Sequence, residues 1–272
     1  MEAQTSPALG FATKLLERIL LPAVDAVITV CETLAHRFRQ SGKKCRVLLT
    51  ARTRREVESL IFRPRAEVRR ELGFRPDDVV VGFVGNLQHK RLEMLIDAVE
   101  FVHQQDSDSQ LKVLILGGPT KVREALATHA AASDAAARFV FHPIVDYRKV
   151  HHYLQALDIG IIQYNRVLWA HLAIPQKIID YLACGVPVLT RNFRERARLV
   201  RASGAGLVFK GGEPYQVGEA LLALETSKAL PRLRRRARRA FTEELCWERQ
   251  EPKLLALIDT LDTRRRPRRR AK

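Results

Sequence analysis

Residues 79–118 read VVVGFVGNLQHKRLEMLIDAVEFVHQQDSDSQLKVLILGG, and the order of apolar patterns in this stretch decides the fold class. Two short apolar runs, 79–85 and 111–117, flank a segment whose apolar residues recur every three or four positions. The runs are typical of buried strands, and the spacing between them is typical of an amphipathic helix. A strand, a helix and a second strand in this order predict parallel pairing of the two strands through a right-handed crossover.

The same alternation continues along the chain to about residue 230. Further short apolar runs predict more strands, and amphipathic segments of helix length lie between them. Parallel strands that alternate with helices form a sheet that helices cover on both faces. Residues 71–230 are therefore predicted to form a doubly wound parallel α/β domain. The further strands are predicted at 138–141, 158–163, 187–190 and 206–210.

The segments on either side of this domain are predicted to be smaller. Apolar runs at 25–30 and 45–50 enclose one helical pattern, and a single strand, helix and strand cannot cover their own apolar faces. Residues 1–70 are therefore predicted to be the remnant of an amino-terminal α/β domain whose beginning is absent. Helical patterns return at 231–263, which are predicted to be closing helices, and the basic segment 264–272 is predicted to be disordered.

The formal net charge of +17 is concentrated toward the ends of the chain. The arginine runs RLRRRARR at 232–239 and RRRPRRR at 264–270 are the densest parts of it. One interpretation is a solvated helix face followed by a disordered tail, and the other is a surface that contacts an anionic membrane. Nucleic acid is disfavoured as a partner, because the arginines are not interleaved with aromatic residues that could stack on bases.

Several common kinds of site have no signature in this sequence. The four cysteines lie far apart and include no CxxC pair, so neither a zinc site nor a disulfide scaffold is predicted. The GxGxxG and Walker patterns are absent, which argues against ordinary dinucleotide and P-loop sites. We therefore expect neither a metal nor a cofactor.

Cysteine use and hydropathy favour a cytoplasmic location. Unpaired cysteines fit a reducing compartment. No apolar stretch reaches the roughly 20 residues that a membrane-spanning helix needs. We expect a cytoplasmic protein that could at most lie on the inner face of the membrane through its arginine-rich ends.

A candidate binding site follows from the ends of the first two predicted strands. Ligands of open parallel sheets bind at the carboxyl ends of the strands. Gly85 ends one strand, and the segment from Asn86 to Lys90 leads into a helix, where free N–H groups and a lysine suit an anion such as a diphosphate. Gly117 and Gly118 end the next strand and would allow a ligand to approach the backbone closely. The alternative is that these glycines only make tight turns.

A second candidate segment, PQKIIDYLACGVPVL at 175–189, joins a helix to a strand through a glycine corner. It resembles the donor-binding segment of GT-B glycosyltransferases of the large retaining family that uses nucleotide sugars (glycosyltransferase family 4, or group 1), where P-x-K-x-x-E-Y-x-A-x-G-x-P-V is common. Residues 82–99, GFVGNLQHKRLEMLIDAV, resemble the glycine loop and helix of that family. Residues 140–165, VFHPIVDYRKVHHYLQALDIGIIQYN, resemble its base-binding and sugar-binding stretch.

The resemblance implies roles for individual residues. Asp180, which stands where the family usually has glutamate, would accept hydrogen bonds from the ribose of a nucleoside diphosphate. Lys90 and Lys177 would stabilise the diphosphate together with the loop at Gly85. The chain departs from the family pattern at Leu172, where many members have an acid that contacts the sugar, and at Asn86, where many have arginine. The predicted donor-binding residues are Gly85, Asn86, Lys90, Gly117, Gly118, Ile144, Tyr164, Asn165, Pro175, Lys177 and Asp180.

The resemblance also implies a reaction: transfer of a sugar from a nucleoside-diphosphate sugar, without a bound metal, to a glycan, polysaccharide or lipid-linked acceptor. A partner chain could supply the acceptor domain. The alternatives are a degenerate or truncated module that binds nucleotide sugars without catalysis, and a basic adaptor that docks on a membrane.

Overall fold

A computed structural model describes residues 7–60, 63–88, 90–164 and 168–265. The chain forms two compact units. The smaller comprises the chain up to Leu48 together with the chain from Pro252 onward, and the larger is Leu49–Glu251.

The smaller unit contains a two-stranded parallel sheet. Strand β1 pairs with β2 so that Val27 lies opposite Cys45, and a helix connects the two strands. This is the strand, helix and strand that the sequence predicts. The elements are α1 (Pro7–Leu20), a 3-10 turn (Leu21–Ala23), β1 (Ala26–Thr29), α2 (Glu32–Gln40) and β2 (Lys44–Val47).

The larger unit is built on a sheet of six parallel strands with helices between them, which confirms the predicted doubly wound fold. The strands are β3 (Val79–Asn86), β4 (Leu111–Gly118), β5 (Phe139–His142), β6 (Ile159–Ile162), β7 (Val188–Arg191) and β8 (Gly206–Phe209). The helices are α3 (Arg54–Leu60), α4 (Arg65–Glu71), α5 (Glu93–Gln105), α6 (Thr120–Ala131), α7 (Tyr147–Leu154), α8 (Leu168–Leu172), α9 (Gln176–Ala183), α10 (Arg194–Ser203), α11 (Pro214–Thr226) and α12 (Leu230–Ala240), with a 3-10 turn at Ala136–Arg138 and a π-helical turn at Phe241–Leu245. The last helix, α13 (Trp247–Arg265), begins in the larger unit, and the division after Glu251 falls within it.

The strand order is β5, β4, β3, β6, β7, β8. The chain therefore builds outward from β3 in one direction and then returns to add β6 on the other side of β3. Ligands of doubly wound sheets bind at such a reversal, at the carboxyl ends of the strands. The topology thus places the preferred binding position beside the end of β3.

Side chains of the central strands alternate between two cores, one on each face of the sheet. Val81 and Phe83 of β3 pack in one buried cluster, whereas Val80 and Val84 pack in the other. Burial on both faces explains why the sequence of β3 is continuously apolar rather than alternating.

The boundary between the units falls after Leu48 rather than at residue 70. Helices α3 and α4 belong to the larger unit, because Val57 and Val68 are buried in the same cluster as Leu154 of α7. The reason lies in long-range packing, which the local pattern of this segment does not reveal.

A group that we call the Asp158 cluster also ties α4 to the sheet; it consists of Asp158, Arg65, Arg69 and Arg234. Asp158 precedes β6, and its two carboxylate oxygens lie 2.6 Å from Arg65 Nη2 and 2.9 Å from Arg69 Nη1. Arg234 Nη1 of α12 lies 3.5 Å from the same carboxylate.

The predicted closing helices are present as α12 and α13. Helix α13 continues to Arg265, so the segment that was predicted to be disordered from 264 begins as helix. Residues 266–272 lie outside the described residues.

Candidate functional site

A cavity of about 640 Å³ opens at the carboxyl ends of β3 and β4. Gly85 and Gly117 lie opposite each other in the strand register and form part of its wall. Both have positive φ, 127° and 149°, which side-chain-bearing residues rarely adopt. A Cβ atom on Gly117 would lie 1.8 Å from the carbonyl oxygen of Gly85, so only glycine fits there. Gly117 is therefore required by the close approach of the two strands, and both glycines line the cavity.

Helix α9 brings Lys177 and Asp180 to the same cavity. The two residues are three positions apart, so they share one face of the helix. Tyr181 fixes the helix against β3, because its buried hydroxyl donates to the Gly82 carbonyl (3.1 Å) and accepts from the Val84 N–H (3.3 Å). Gly160 makes room for the ring, since a Cβ there would lie 2.6 Å from Tyr181 ring atoms.

Asp180 is buried and is contacted by an arginine and a histidine from distant parts of the chain. Its Oδ1 accepts a hydrogen bond from Arg52 Nε at 2.8 Å and lies 3.3 Å from His151 Nε2. Burial favours the neutral acid, but the contacts with His151 and Arg52 outweigh it and hold the pKa of Asp180 below its ordinary value. The carboxylate is therefore a charged acceptor at neutral pH.

Arg123 Nη1 donates to the Gly117 carbonyl at 3.1 Å, and Lys177 lies beside Gly85. Its Nζ lies 3.5 Å from the ring centre of Phe83 and 3.4 Å from the position that a Cβ of Gly85 would occupy. Burial, and then the charge of Lys90, lower the pKa of Lys177 to about 7, although Asp180 opposes the shift. An ammonium group that lacks a strong counter-charge in this way is suited to binding an anion.

Lys90 lies beside the cavity rather than in its wall. Its Nζ is 4.2 Å from the ring centre of Tyr164, and Arg196 packs on the same ring at 4.6 Å. Burial and the charge of Arg196 lower the pKa of Lys90. The charge of Lys90 in turn contributes to the lowered pKa of Lys177.

The far side of the cavity is apolar. Side chains from the loop after β5 and from α7 line it, among them Ile144, Val145, Tyr147 and Val150. Ile144 and Tyr147 are largely exposed, with 72% and 66% of their surface accessible. Exposed apolar surface of this kind beside a polar cavity is suited to covering a flat, partly apolar group.

The structure thus divides the predicted site residues into groups. Lys90, Tyr164 and Pro175 do not line the cavity, and Asn165 lies outside the described residues. Those that line it are Gly85, Asn86, Gly117, Gly118, Ile144, Lys177 and Asp180.

Sequence reasoning missed Arg52, Tyr147 and His151. Arg52 precedes Asp180 by 128 positions, so no local spacing connects them. His151 is fully buried on the apolar side of α7, where its position in the pattern resembles that of a core residue. Tyr147 was part of the quoted base-binding stretch, but nothing in the sequence alone separated it from its neighbours.

Other chemistries find little support among the described residues. Burial raises the pKa of Cys184 strongly, so its thiol stays neutral and is a poor nucleophile. Within the described ranges, no group of three His, Cys, Asp or Glu side chains is arranged to hold a metal ion. Likewise, none of the helices in the described part of the chain is both long and apolar enough to cross a membrane.

Comparison with known proteins identifies relatives of this chain. The model of a family described as "Glycosyl transferases group 1" matches residues 78–227. A D-inositol 3-phosphate glycosyltransferase of Nocardia farcinica is 31% identical over 186 residues, which are 66% of this chain and 40% of that protein. The chain therefore spans about two fifths of the length of this curated relative.

Two solved structures share the fold. Anabaena Alr3699/HepE, in complex with UDP, superposes with a TM-score of 0.73 at 16% identity. The superposed region covers 91% of this chain and 67% of the HepE chain. Sucrose-phosphate synthase of Thermosynechococcus elongatus gives a TM-score of 0.71 at 18% identity over 93% of this chain and 62% of its own. At such identities the likeness concerns the fold, which agrees with the predicted GT-B type of α/β domain.

Proposed function

Because this chain belongs to the glycosyl transferases group 1 family, we propose that its cavity binds the nucleoside-diphosphate sugar from which a sugar is transferred to an acceptor. The observation that carries the proposal is the convergence on one cavity of bare glycine backbone, Lys177 with its lowered pKa, and the charged Asp180. The complex of Anabaena HepE with UDP supports a nucleotide as the ligand of this fold.

Each part of the cavity has a role in this proposal. The diphosphate lies against Gly85 and Gly117, next to Lys177 and within reach of Lys90. Asp180 accepts hydrogen bonds from the ribose, and the apolar side around Ile144 covers the base. As the bond between sugar and diphosphate breaks, negative charge grows on the leaving diphosphate, and cations that are already in place stabilise it. We expect transfer without a bound metal and with retention at the anomeric carbon.

The acceptor is proposed to be a glycan, a polysaccharide or a lipid-linked molecule. A partner chain, or residues other than those described, would bind it. Since the chain spans about two fifths of the Nocardia farcinica relative, the full transfer reaction is a proposal that reaches beyond the donor cavity.

The proposal is tested by titration calorimetry of the intact chain with UDP, GDP and ADP. One of the three should bind in the micromolar range, and Lys177→Met should weaken it at least tenfold, because hydrogen bonds to charged groups are worth about 1.5–3 kcal/mol. Lys210→Met is the matched control, since Lys210 is exposed on β8's carboxyl side and lines no part of the cavity. Absence of binding to all three would refute the donor site.

A second proposal concerns the membrane, and it rests on the charges of α12. Arg232, Arg235 and Arg236 are exposed, and within the described part of the chain no ion pair involves them. We call these three side chains the α12 arginine face. Basic residues near an anionic bilayer contribute about 1 kcal/mol each, so the face suits peripheral binding to the inner leaflet.

Vesicle flotation tests this second proposal. Vesicles with about one third phosphatidylserine should bind the chain at low salt and release it at high salt, since such contacts are screened. Replacing the α12 arginine face by glutamine should abolish most of the binding. Equal binding to neutral phosphatidylcholine vesicles would contradict the idea.

A further inference from the structure

Arg52 enters the wall of the donor cavity from a segment far away in sequence. It directly precedes the first turn of α3, where Arg54 begins the helix. Its Nε donates to Asp180 Oδ1 at 2.8 Å, and its Nη1 donates to Glu56 Oε1 at 2.6 Å. One guanidinium group therefore bridges two carboxylates, and only one of them, Asp180, lines the cavity.

The backbone of Arg52 is held as firmly as its side chain. Its carbonyl oxygen accepts a hydrogen bond from the Trp247 N–H at 2.9 Å. The next residue, Thr53, caps the start of α3, because its hydroxyl accepts a hydrogen bond from the Glu56 N–H at 3.0 Å. Because both its backbone and its guanidinium group are held by hydrogen bonds, Arg52 presents its planar donors in one defined orientation.

The contacts of Asp180 are unequal between its two oxygens. Arg52, His151 and Gln176 all lie closest to Oδ1, at 2.8, 3.3 and 3.5 Å. The hydrogen bonds that described residues donate to this carboxylate go to Oδ1, and 12% of the side-chain surface of Asp180 is exposed. The carboxylate is thus anchored by one oxygen and open at the other.

We propose that Arg52 is a positioning residue for donor binding: by fixing Oδ1 of Asp180, it turns Oδ2 toward the hydroxyls of the bound pentose. The inference rests on the proposed function. An aspartate carboxylate otherwise rotates broadly about its last torsion, so an anchor at one oxygen removes freedom that binding would have to remove. Arginine suits this task better than lysine, because its donors are fixed in a plane.

The test compares the hydroxyl preference of the intact chain with that of variants. Affinity is measured for the best binder among UDP, GDP and ADP, and for its 2′,3′-dideoxy analogue. Wild-type protein should prefer the hydroxylated ligand at least tenfold, since hydrogen bonds to a charged acceptor are lost in the analogue. Arg52→Met should reduce this ratio to within about threefold, and Arg52→Lys should give an intermediate ratio.

Arg55→Met is the matched control. Arg55 is exposed on α3 and does not line the cavity. The substitution removes the same charge as Arg52→Met, but the ratio of the affinities for the hydroxylated and the dideoxy ligand should stay at the wild-type value. Binding of the dideoxy analogue serves as the control for folding, because a folded Arg52→Met chain should bind it about as well as wild-type protein.

The outcomes separate this inference from the proposal on which it rests. A wild-type chain that binds none of the diphosphates would overturn both. A wild-type chain that prefers the hydroxylated ligand while Arg52→Met keeps the same ratio would overturn the inference alone. Tighter binding of the hydroxylated ligand by Arg52→Met would also overturn it, because Arg52 would then compete with the ligand for Asp180.

Discussion

Affinity for the nucleoside diphosphate should depend on pH through Lys177. Burial and the neighbouring Lys90 lower the pKa of this lysine to about 7 in the free protein. A bound diphosphate adds two or three negative charges beside it, so the pKa of Lys177 in the complex should rise toward the ordinary value of a lysine. Binding near neutral pH must therefore take up a proton.

The magnitude follows from the free-state pKa. With a pKa near 7, Lys177 is about half protonated at pH 7 and about one-tenth protonated at pH 8, so affinity should fall about fivefold between these pH values. Below pH 6 the lysine is fully charged and its contribution to affinity is constant. The terminal phosphate of the ligand has a pKa near 6, so its own ionisation is nearly complete above pH 7.

Calorimetry in two buffers with different enthalpies of ionisation measures the proton uptake directly. We expect about half a proton per ligand at pH 7 and about nine-tenths at pH 8. Lys177→Arg should bind with little change of affinity over this range, because arginine stays charged. Lys177→Met should bind weakly and without the slope.

Two results would refute the reasoning. The first is a wild-type affinity that stays flat from pH 6.5 to 8.5 with no proton uptake. The second is a slope that persists in Lys177→Met, since it would then arise from another group. The group that faces Lys177 and also has a lowered pKa is Lys90, so Lys90→Met identifies its share.

Three further predictions concern stability and the shape of the site. Asp158→Asn removes the shared carboxylate of the Asp158 cluster and should lower the free energy of unfolding in urea by about 3–5 kcal/mol. The arginines hold the pKa of Asp158 low despite burial, so the wild-type cluster should stabilise the fold above about pH 4 and lose this contribution as the pH falls through the lowered pKa. A stability that stays constant in acid would contradict this. Tyr181→Phe should lower the unfolding free energy by about 1–2 kcal/mol, because the Gly82 carbonyl and the Val84 N–H lose their partner, and an unchanged thermal midpoint would argue against the anchor. Gly117→Ala should abolish diphosphate binding and destabilise the chain by more than about 2 kcal/mol, whereas Gly73→Ala, which also has positive φ but open space around it, should cost about 1 kcal/mol and spare binding.

Local sequence patterns predicted most of the fold of the larger unit. The apolar run of β3 is continuous because both faces of that strand are buried, and this property is visible in seven consecutive residues. Gly85 and Gly117 could be placed at strand ends because each is the last residue of such an apolar run. Their meeting across the register follows from parallel pairing of neighbouring strands, which the crossover helix between them dictates.

The resemblance of the 175–189 segment located Lys177 and Asp180, and both line the cavity. Lys90 was predicted to contact the diphosphate, with Lys177 as a second cation, but its Nζ lies 4.2 Å from the ring centre of Tyr164 and it does not line the cavity. Its neighbours there, Tyr164 and Arg196, are distant in sequence, so no local pattern predicts this contact.

The sequence by itself determined the alternation of strands and helices, the α/β class, the glycines at the strand ends and the helix that presents Asp180. Only the tertiary structure decided that helices α3 and α4 belong to the larger unit and that Arg52 and His151 meet at one oxygen of Asp180. The physical reason is range: patterns of burial and backbone preference act over a few residues, whereas the partners of a buried charge depend on which strands and helices become neighbours after the whole sheet has formed.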